Sequence, residues 1–374
     1  MQPIPFCPSD LEAHFLAAAQ RETRASSDRD AILRLLPDVR RLADRFTTAR
    51  PDPTPEPYLR TTRQALAYSL YFAPLTHARM AFLLPEIPAP AAPSFPFRVL
   101  DLGAGTGAAA FAALRHLAAA LPPAAPLSLD AVDTSRAALR CLRDAFTAVR
   151  PAAIPSALLR THCASLFDFD APPAAYDLVL LHYVLNELPP ARRPDALARA
   201  TRALSPGGFL LVCEPLLRAE GDWLRPLREH ARALGLHVHG PCPHDAPCPR
   251  PPDDPCHAVR SFPLPRSLQI LNAQLRRDLR HLAYSWLLLS PTPPPADRTP
   301  CLRVTAPPRT SNGFTTCPAC CPDASLAPVQ ILHRNLPTPL RKHLRHLERG
   351  EALPISTLST LGDPPIHRAT LLSP

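Results

Sequence analysis

The sequence predicts an α/β protein with a parallel sheet, an N-terminal helical region before it and a Cys-rich C-terminal extension after it. Three observations carry this prediction. From Phe97 onward, short apolar runs alternate with helical stretches, the pattern of a parallel sheet with crossover helices. The first of those runs ends in an acid and opens into a glycine-rich turn, Asp101-Leu-Gly103-Ala-Gly105-Thr-Gly107. Beyond Leu236 the texture changes, and cysteine, proline and histidine dominate to Pro265. The predicted domains are therefore 1–90 (helical), 91–235 (sheet domain) and 236–374 (Cys-rich).

In the helical region, Ser9 and Asp10 can cap a first helix carrying Leu11, Phe15 and Ala19 on its apolar face. A second helix runs through Ile32, Leu35, Val39, Leu42 and Phe46, and a third carries Leu59, Leu66, Leu70 and Phe72. Pro51–Pro57 separates them, and Pro85–Pro96 reads as a linker. Strands are predicted at Arg98–Leu102, Leu127–Asp133, Leu158–Cys163, Leu178–Leu181 and Phe209–Cys213, and a helix after Gly221 ends near Gly235. In the extension, a helix is expected over Leu268–Leu282, then Pro-rich and Cys-rich loops, then a basic helix near Leu340–Arg349.

Composition narrows the class. Hydrophobic residues at 46% allow a sizeable core, and 52 prolines against 11 glycines punctuate a folded chain. A net charge of +9 fits a nucleic-acid partner. No run approaches the ~20 apolar residues of a membrane span, and Met1–Pro8 lacks a basic segment followed by an apolar one. The expectation is a monomer in a reducing compartment: the cytoplasm, or the mitochondrion if the source is eukaryotic. In such a compartment eleven cysteines are not a disulfide framework.

The glycine turn also fits a dinucleotide fingerprint, with Ala108 in its last position. The carboxylates separate the two ligands. Asp101 just before the turn suits the ammonium of S-adenosylmethionine and would repel a pyrophosphate. Asp133, at the end of the next strand, can accept both ribose hydroxyls, and Asp130 is the weaker candidate. The string Leu204-Ser-Pro-Gly207-Gly208-Phe-Leu-Leu-Val resembles the approach to the fifth strand of class I S-adenosylmethionine methyltransferases, which are Rossmann-like. The predicted cofactor residues are Asp101, Gly103, Gly105, Gly107 and Asp133. The fourth strand aims His182, Tyr183 and Asn186 at the methyl group. His182 and Asn186 are the candidate catalytic residues, against the alternative that they only shape the pocket. The Asp/Asn-Pro-Pro-aromatic motif of amino methyltransferases is absent.

Cys242, Cys248 and Cys256 are followed some sixty residues later by Cys317, Cys320 and Cys321. Thiolates gathered in this way can hold zinc or an iron–sulfur cluster, and the wide spacing leans toward the cluster. Asp245-Ala-Pro-Cys248 mimics the nucleophile motif of RNA 5-methylcytosine enzymes, but that cysteine must follow the fourth strand, and this one follows the fifth. Cys7, Cys141, Cys163 and Cys213 read as ordinary buried thiols.

The string Pro241-Cys242-Pro-His244-Asp-Ala-Pro-Cys248-Pro, directly after such a domain, resembles the Rsm-twenty-two or methyltransferase-like-seventeen family of small-ribosomal-subunit proteins. Tyr58-Leu-Arg, Ala65-Leu-Ala-Tyr68, Glu214-Pro215, Cys256-His257 and Arg303-Val-Thr-Ala-Pro-Pro308 extend the resemblance over most of the chain. It implies a protein acting on the small ribosomal subunit during assembly, in contact with rRNA, with a four-iron (4Fe-4S) cluster on Cys242, Cys248, Cys256 and Cys320. Leu216 stands where the family has glycine, the aromatic flanks of the third cysteine are missing, and Cys317 and Cys321 are extra. Three readings remain open: an rRNA methyltransferase, a non-catalytic S-adenosylmethionine-binding assembly factor, and a small-molecule methyltransferase. Arg260–Arg280 and Arg341–Arg349 supply the expected phosphate contacts.

Overall fold

A computed structural model describes residues 8–47, 57–88, 95–216, 222–361 and 366–372. Cys7 and most of Pro51–Pro57 lie outside the described residues, as does part of Pro85–Pro96. The chain divides into two compact units: Met1–Val212 with Ser261–Leu282, and Cys213–Arg260 with Ala283–Pro374. No described helix is long and apolar enough to cross a membrane.

The first unit opens with three helices, α1 (Ser9–Thr23), α2 (Asp28–Thr47) and α3 (Thr62–Leu83). Ser9 does not cap α1. Pro8 holds the cap position, Ser9 is already helical, and Asp10 sits in the first turn, where a carboxylate complements the exposed N–H groups. The cap that does form is on α3. The Thr61 hydroxyl accepts from Gln64 N while the Gln64 side chain accepts from Thr61 N, a reciprocal capping box. Leu59 lies ahead of that cap, outside the helix, yet is buried. α3 is buried almost all round, with Leu66, Tyr71, Met80 and Leu83 fully enclosed.

The sheet of this unit contains β1 (Phe97–Leu102), β2 (Leu127–Asp133), β3 (Ala157–Cys163), β4 (Tyr176–His182) and β5 (Leu204–Pro215). Their order is β3-β2-β1-β4-β5, and the pairs β1–β2, β1–β4 and β2–β3 are parallel. Helices α4 (Ala108–Ala120), α5 (Arg136–Ala153) and α6 (Arg193–Ala203) supply the crossovers. β1 and β4 are almost continuously buried, as strands covered on both faces must be. This is the Rossmann-like arrangement of class I methyltransferases, and all five predicted strands are present.

The second unit begins with α7 (Leu224–Ala233), β6 (His237–Gly240) and β7 (Ala258–Ser261). Between β7 and β8 (His281–Ser290) the chain returns to the first unit for α8 (Arg266–Leu275). The helix expected over Leu268–Leu282 is therefore shorter. Arg276 turns left-handed at φ 53° and ends it, and Leu282 belongs to β8. β8 pairs with β6 and β7.

The stretch expected to be Pro-rich and Cys-rich loop is instead a second sheet. It comprises β9 (Cys301–Val304), β10 (Arg309–Ser311), β11 (Phe314–Cys320), β12 (Leu326–Leu332), β13 (Ala352–Leu361) and β14 (Ile366–Leu371). The order is β10-β11-β12-β14-β13-β9, and β9 also pairs with β11, so five strands close on themselves. Only β12–β14 is parallel among the pairs of this sheet. Helix α9 (Thr338–Leu344), shorter than the helix expected over Leu340–Arg349, sits between β12 and β13. This is the five-stranded Greek-key barrel of the OB-fold. Its interior is filled by alternate residues, among them Val304, Cys317, Val329, Ile331, Leu353 and Ala369. Closure of these five strands removes the open edges that a small sheet would otherwise expose, and leaves only the three-residue β10 at an edge.

Candidate functional site

In the first unit the candidate residues gather at the carboxyl ends of β1, β2 and β4, where ligands sit in open α/β sheets. The turn between β1 and α4 needs its glycines. Gly103 and Gly107 have φ of 81° and 90°, and a Cβ would overlap Val184 at the first and crowd Leu142 at the second. The Asp133 carboxylate ties this turn to β2. Gly105 N donates to one of its oxygens at 2.8 Å and Ser135 N to the other at 2.7 Å. Burial raises the pKa of Asp133 against the pull of those two bonds. Each oxygen keeps a lone pair for a further donor.

Asp101 is 1% exposed, and one of its carboxylate oxygens has no hydrogen-bond partner among the described residues. Burial, and next the neighbouring Asp133, push its pKa up to about 7. Asp130, by contrast, is used internally. Arg160 and His162 each bond it at 2.8 Å and Tyr176 at 3.2 Å. Burial opposes its ionisation, but the bonds from Arg160 and His162 hold its pKa low.

His182 ends β4, stacked on Tyr183 at 4.8 Å between ring centroids. Burial, and next Arg79, push its pKa down to about 3, so the ring is neutral at physiological pH. Arg79 reaches from α3 to cover the Tyr183 ring at 4.6 Å. Asn186 lies on the short turn Leu185–Glu187, where the Glu187 carboxylate accepts from the Tyr58 hydroxyl at 3.2 Å. Tyr58, Tyr68, Phe72 and Phe46 form one chain of ring contacts, and the Tyr68 ring stands 3.9 Å from where a Cβ on Gly105 would be. Sequence reasoning assigned no role to Arg79, Tyr68 or Glu187. The Tyr58 and Tyr68 strings were visible only as resemblance, because helical periodicity does not say which sheet a helix end will face.

The second unit holds a separate cavity of about 50 Å³ whose wall includes Cys242, Cys248, Cys256 and Cys320. Cys317 and Cys321, each 0% exposed, lie in the barrel core instead, among the apolar side chains that surround Val329 and Ile331. Strand alternation makes that separation for Cys317, which stands next-but-two to Cys320 on β11. The same cavity wall carries Arg228, Arg250 and Arg303, only 2%, 4% and 3% exposed by side chain or residue. Arg228 donates to Ala246 O at 2.7 Å, and its charge beside Cys242 pulls against the burial that raises that thiol. Arg303 donates to Pro241 O at 2.7 Å and Gly350 O at 3.0 Å, while Arg250 is held by Asp254. Both ring nitrogens of His244 are buried and have no hydrogen-bond partner among the described residues. Burial raises the Cys242 and Cys256 thiols, and takes Cys320 to about 12. Among the described residues no group of three or more His, Cys, Asp or Glu is arranged to hold a metal ion.

Of the remaining thiols, Cys141 and Cys213 are buried as expected, but Cys163 is exposed at the end of β3, since that strand is the sheet's edge. The basic stretches also divide. Arg260 donates to Val259 O and Arg349 O, Arg349 pairs with Asp254, Arg277 lies half-buried beside Tyr71, and Arg280 pairs with Asp278. Arg266, Arg276, Arg341, Lys342 and Arg345 are exposed.

The fold and the glycine turn thus define a methyltransferase-like protein. The model of the family described as mitochondrial small ribosomal subunit Rsm22 matches residues 62–354, and the chain belongs to this family. No curated protein matches it. Among solved structures, an S-adenosylmethionine-dependent methyltransferase from Leishmania major is similar at 16% identity over 59% of this chain and 72% of its own, with a TM-score of 0.36. Geranyl diphosphate C-methyltransferase from Streptomyces coelicolor, bound to S-adenosyl-L-homocysteine, shares 12% over 57% and 79%, TM-score 0.35. The [4+2]-cyclase SpnF shares 14% over 77% and 98%, TM-score 0.37.

Proposed function

We propose that this protein binds S-adenosylmethionine in its first unit and an iron–sulfur cluster in its second, and acts on the small ribosomal subunit through rRNA. The observation that carries the first part is the orphaned, buried oxygen of Asp101 beside the glycine turn. An unpaired buried carboxylate is costly, and the ammonium of the methionine moiety supplies the missing partner. Asp133, already anchored by two backbone N–H groups, has lone pairs left for the ribose hydroxyls. Bound there, the cofactor supplies a methyl group.

The four-cysteine cavity fits an anionic inorganic core. Cys242, Cys248, Cys256 and Cys320 would hold it, and the guanidinium groups of Arg228, Arg250 and Arg303 would offset its negative charge. A single zinc ion is the alternative occupant, since the same four thiolates are ligands of the kind that hold structural zinc.

His182 favours a role in shaping the pocket over one in catalysis. A neutral ring whose pKa is about 3 takes a proton from an acceptor poorly. This supports the assembly-factor reading over an enzyme that must deprotonate its acceptor, while methylation of a nucleophile that needs no base stays compatible with the site. The family description favours a mitochondrial ribosome as the place of action over the cytoplasm.

The test has three arms on one preparation purified without oxygen: calorimetry with S-adenosylmethionine, iron and acid-labile sulfide content, and methyl transfer to isolated small-subunit rRNA. The proposal expects binding in the first arm and iron with sulfide in the second. Tighter binding of a nicotinamide dinucleotide, or one tightly held zinc in a colourless protein, would overturn the corresponding part.

A further inference from the structure

The outer face of the C-terminal barrel carries a feature that neither the cofactor pocket nor the cysteine cavity uses. Strand register lines up Arg309, Thr316, Gln330, Arg368 and Ser359 in one row across β10, β11, β12, β14 and β13. Residues directly opposite each other in a sheet share a face. Their neighbours along the strands, Thr315, Val329, Ile331 and Ala369, are buried inside the barrel, so the row itself faces outward. Arg309 and Ser359 are exposed, and Thr316, Gln330 and Arg368 are half-buried. The next row on that face places Ser311 opposite Phe314 and Phe314 opposite Leu332.

Charge decides what such a face would take. None of the six barrel-sheet strands contains an aspartate or glutamate, while they hold Arg303, Arg309, Arg368 and His367. The Arg368 Nε–H is buried and has no hydrogen-bond partner among the described residues. A donor left in that state wants an acceptor, and a guanidinium matches the paired oxygens of a phosphate. The hydroxyl and amide groups of Thr316 and Gln330 between the two arginines can read sugar or base edges, and the half-buried Phe314 ring offers a stacking surface.

We propose that this row is a binding face for single-stranded RNA, with Arg309 and Arg368 on phosphates and Phe314 against a base. The proposal rests on the reading that RNA is the partner and names the surface that meets it. A neutral oligosaccharide, the other ligand class of such barrels, would leave both arginines without a counter-charge.

The experiment uses the full chain and a fluorescently labelled single-stranded oligoribonucleotide across a salt series. Arg309→Gln with Arg368→Gln should weaken binding at least roughly tenfold, and flatten the log–log salt slope by about 1.4, at about 0.7 per lost phosphate contact. Arg309→Glu alone changes an exposed side chain on an edge strand, so it tests the face without threatening the fold, and it should weaken binding too. Arg40→Gln with Arg140→Gln, exposed arginines of the first unit outside the basic stretches 260–280 and 341–349, should change little. Loss of binding in that last variant, with the barrel variants unaffected, would overturn the barrel face and leave RNA as the partner. A wild type that binds no RNA at low salt, or that prefers a neutral oligosaccharide, would overturn both.

Discussion

The two candidate cavities are built on opposite electrostatic plans. The pocket of the first unit presents Asp101, Asp133 and Glu187, and one oxygen of its deepest carboxylate lacks a partner among the described residues. The cavity of the second unit presents Arg228, Arg250 and Arg303 beside four thiols, with Asp222 as the one acid of its wall. A buried wall on which one sign outnumbers the other favours an occupant of opposite charge, because leaving buried charge uncompensated is costly. The first therefore suits a cation such as the sulfonium and ammonium of the methyl donor, and the second an anion, which in the proposed function is a thiolate-ligated cluster. The construction differs as well. One contiguous glycine turn and the ends of three neighbouring strands make the first, whereas the second draws its wall from segments as distant as Arg228 and Gly350.

The largest effect should come from the second cavity. Where ligands come from distant segments, binding energy is folding energy. Cys248→Ser should abolish the visible absorbance of the anaerobic protein and the protease resistance of the second unit together, with S-adenosylmethionine binding by the first unit retained. Retained iron and sulfide in this variant would remove Cys248 from the ligand set and break the comparison.

In the first pocket, Asp133→Ala removes the acceptor of two backbone N–H groups and of the ribose hydroxyls at once. At about 1.5–3 kcal/mol for each charge-assisted bond, S-adenosylmethionine affinity measured by calorimetry should fall at least roughly tenfold. An equal effect of Asp130→Ala would contradict the assignment, since Asp130 is taken up by Arg160, His162 and Tyr176.

The basic wall can be tested without touching a thiol. Arg228→Met keeps the volume and removes the positive charge beside Cys242. A cationic neighbour favours the more negative, reduced state, so its loss should lower the cluster's reduction potential. A tenfold change in the one-electron equilibrium is about 59 mV in a spectroscopic titration. An unchanged potential would show that the arginine serves only the loop through Ala246.

The smallest effect is on pH. Asp101 sits near pH 7 in the free protein because burial and Asp133 resist its ionisation. A bound ammonium favours the ionised form and lowers that pKa. Affinity should therefore be complete above pH 7 and decline as pH falls through it, by about threefold between pH 7.5 and 6.5. Calorimetry in buffers of different ionisation enthalpy should show proton release on binding near pH 7, and Asp101→Asn should remove both signals.

Much of the first unit is legible in the sequence, since its signals are local. The run Arg98–Leu102, the acid that ends it and the glycines at 103, 105 and 107 are contiguous, and the chemistry of close backbone approach requires those residue types in that order. Asp133 could be read because β2 ends where its apolar run ends. The sequence alone could not separate Cys317, Cys320 and Cys321. Three thiols within five positions look equivalent until strand β11 assigns alternate side chains to opposite faces, placing Cys317 in the barrel core and Cys320 on the cavity wall. The barrel itself was hidden by its prolines. Pro318 and Pro328 interrupt β11 and β12 where a loop would be read, yet both point outward, opposite one another, and leave the interior alternation of Ala319, Ala327 and Val329 intact. Nor could the sequence assign Arg79, Arg228 and Arg303 to their cavities. A guanidinium on a helix or strand reads as solvated until tertiary packing buries it, and only the fold supplies the carbonyls, rings and sulfurs that make its burial tolerable.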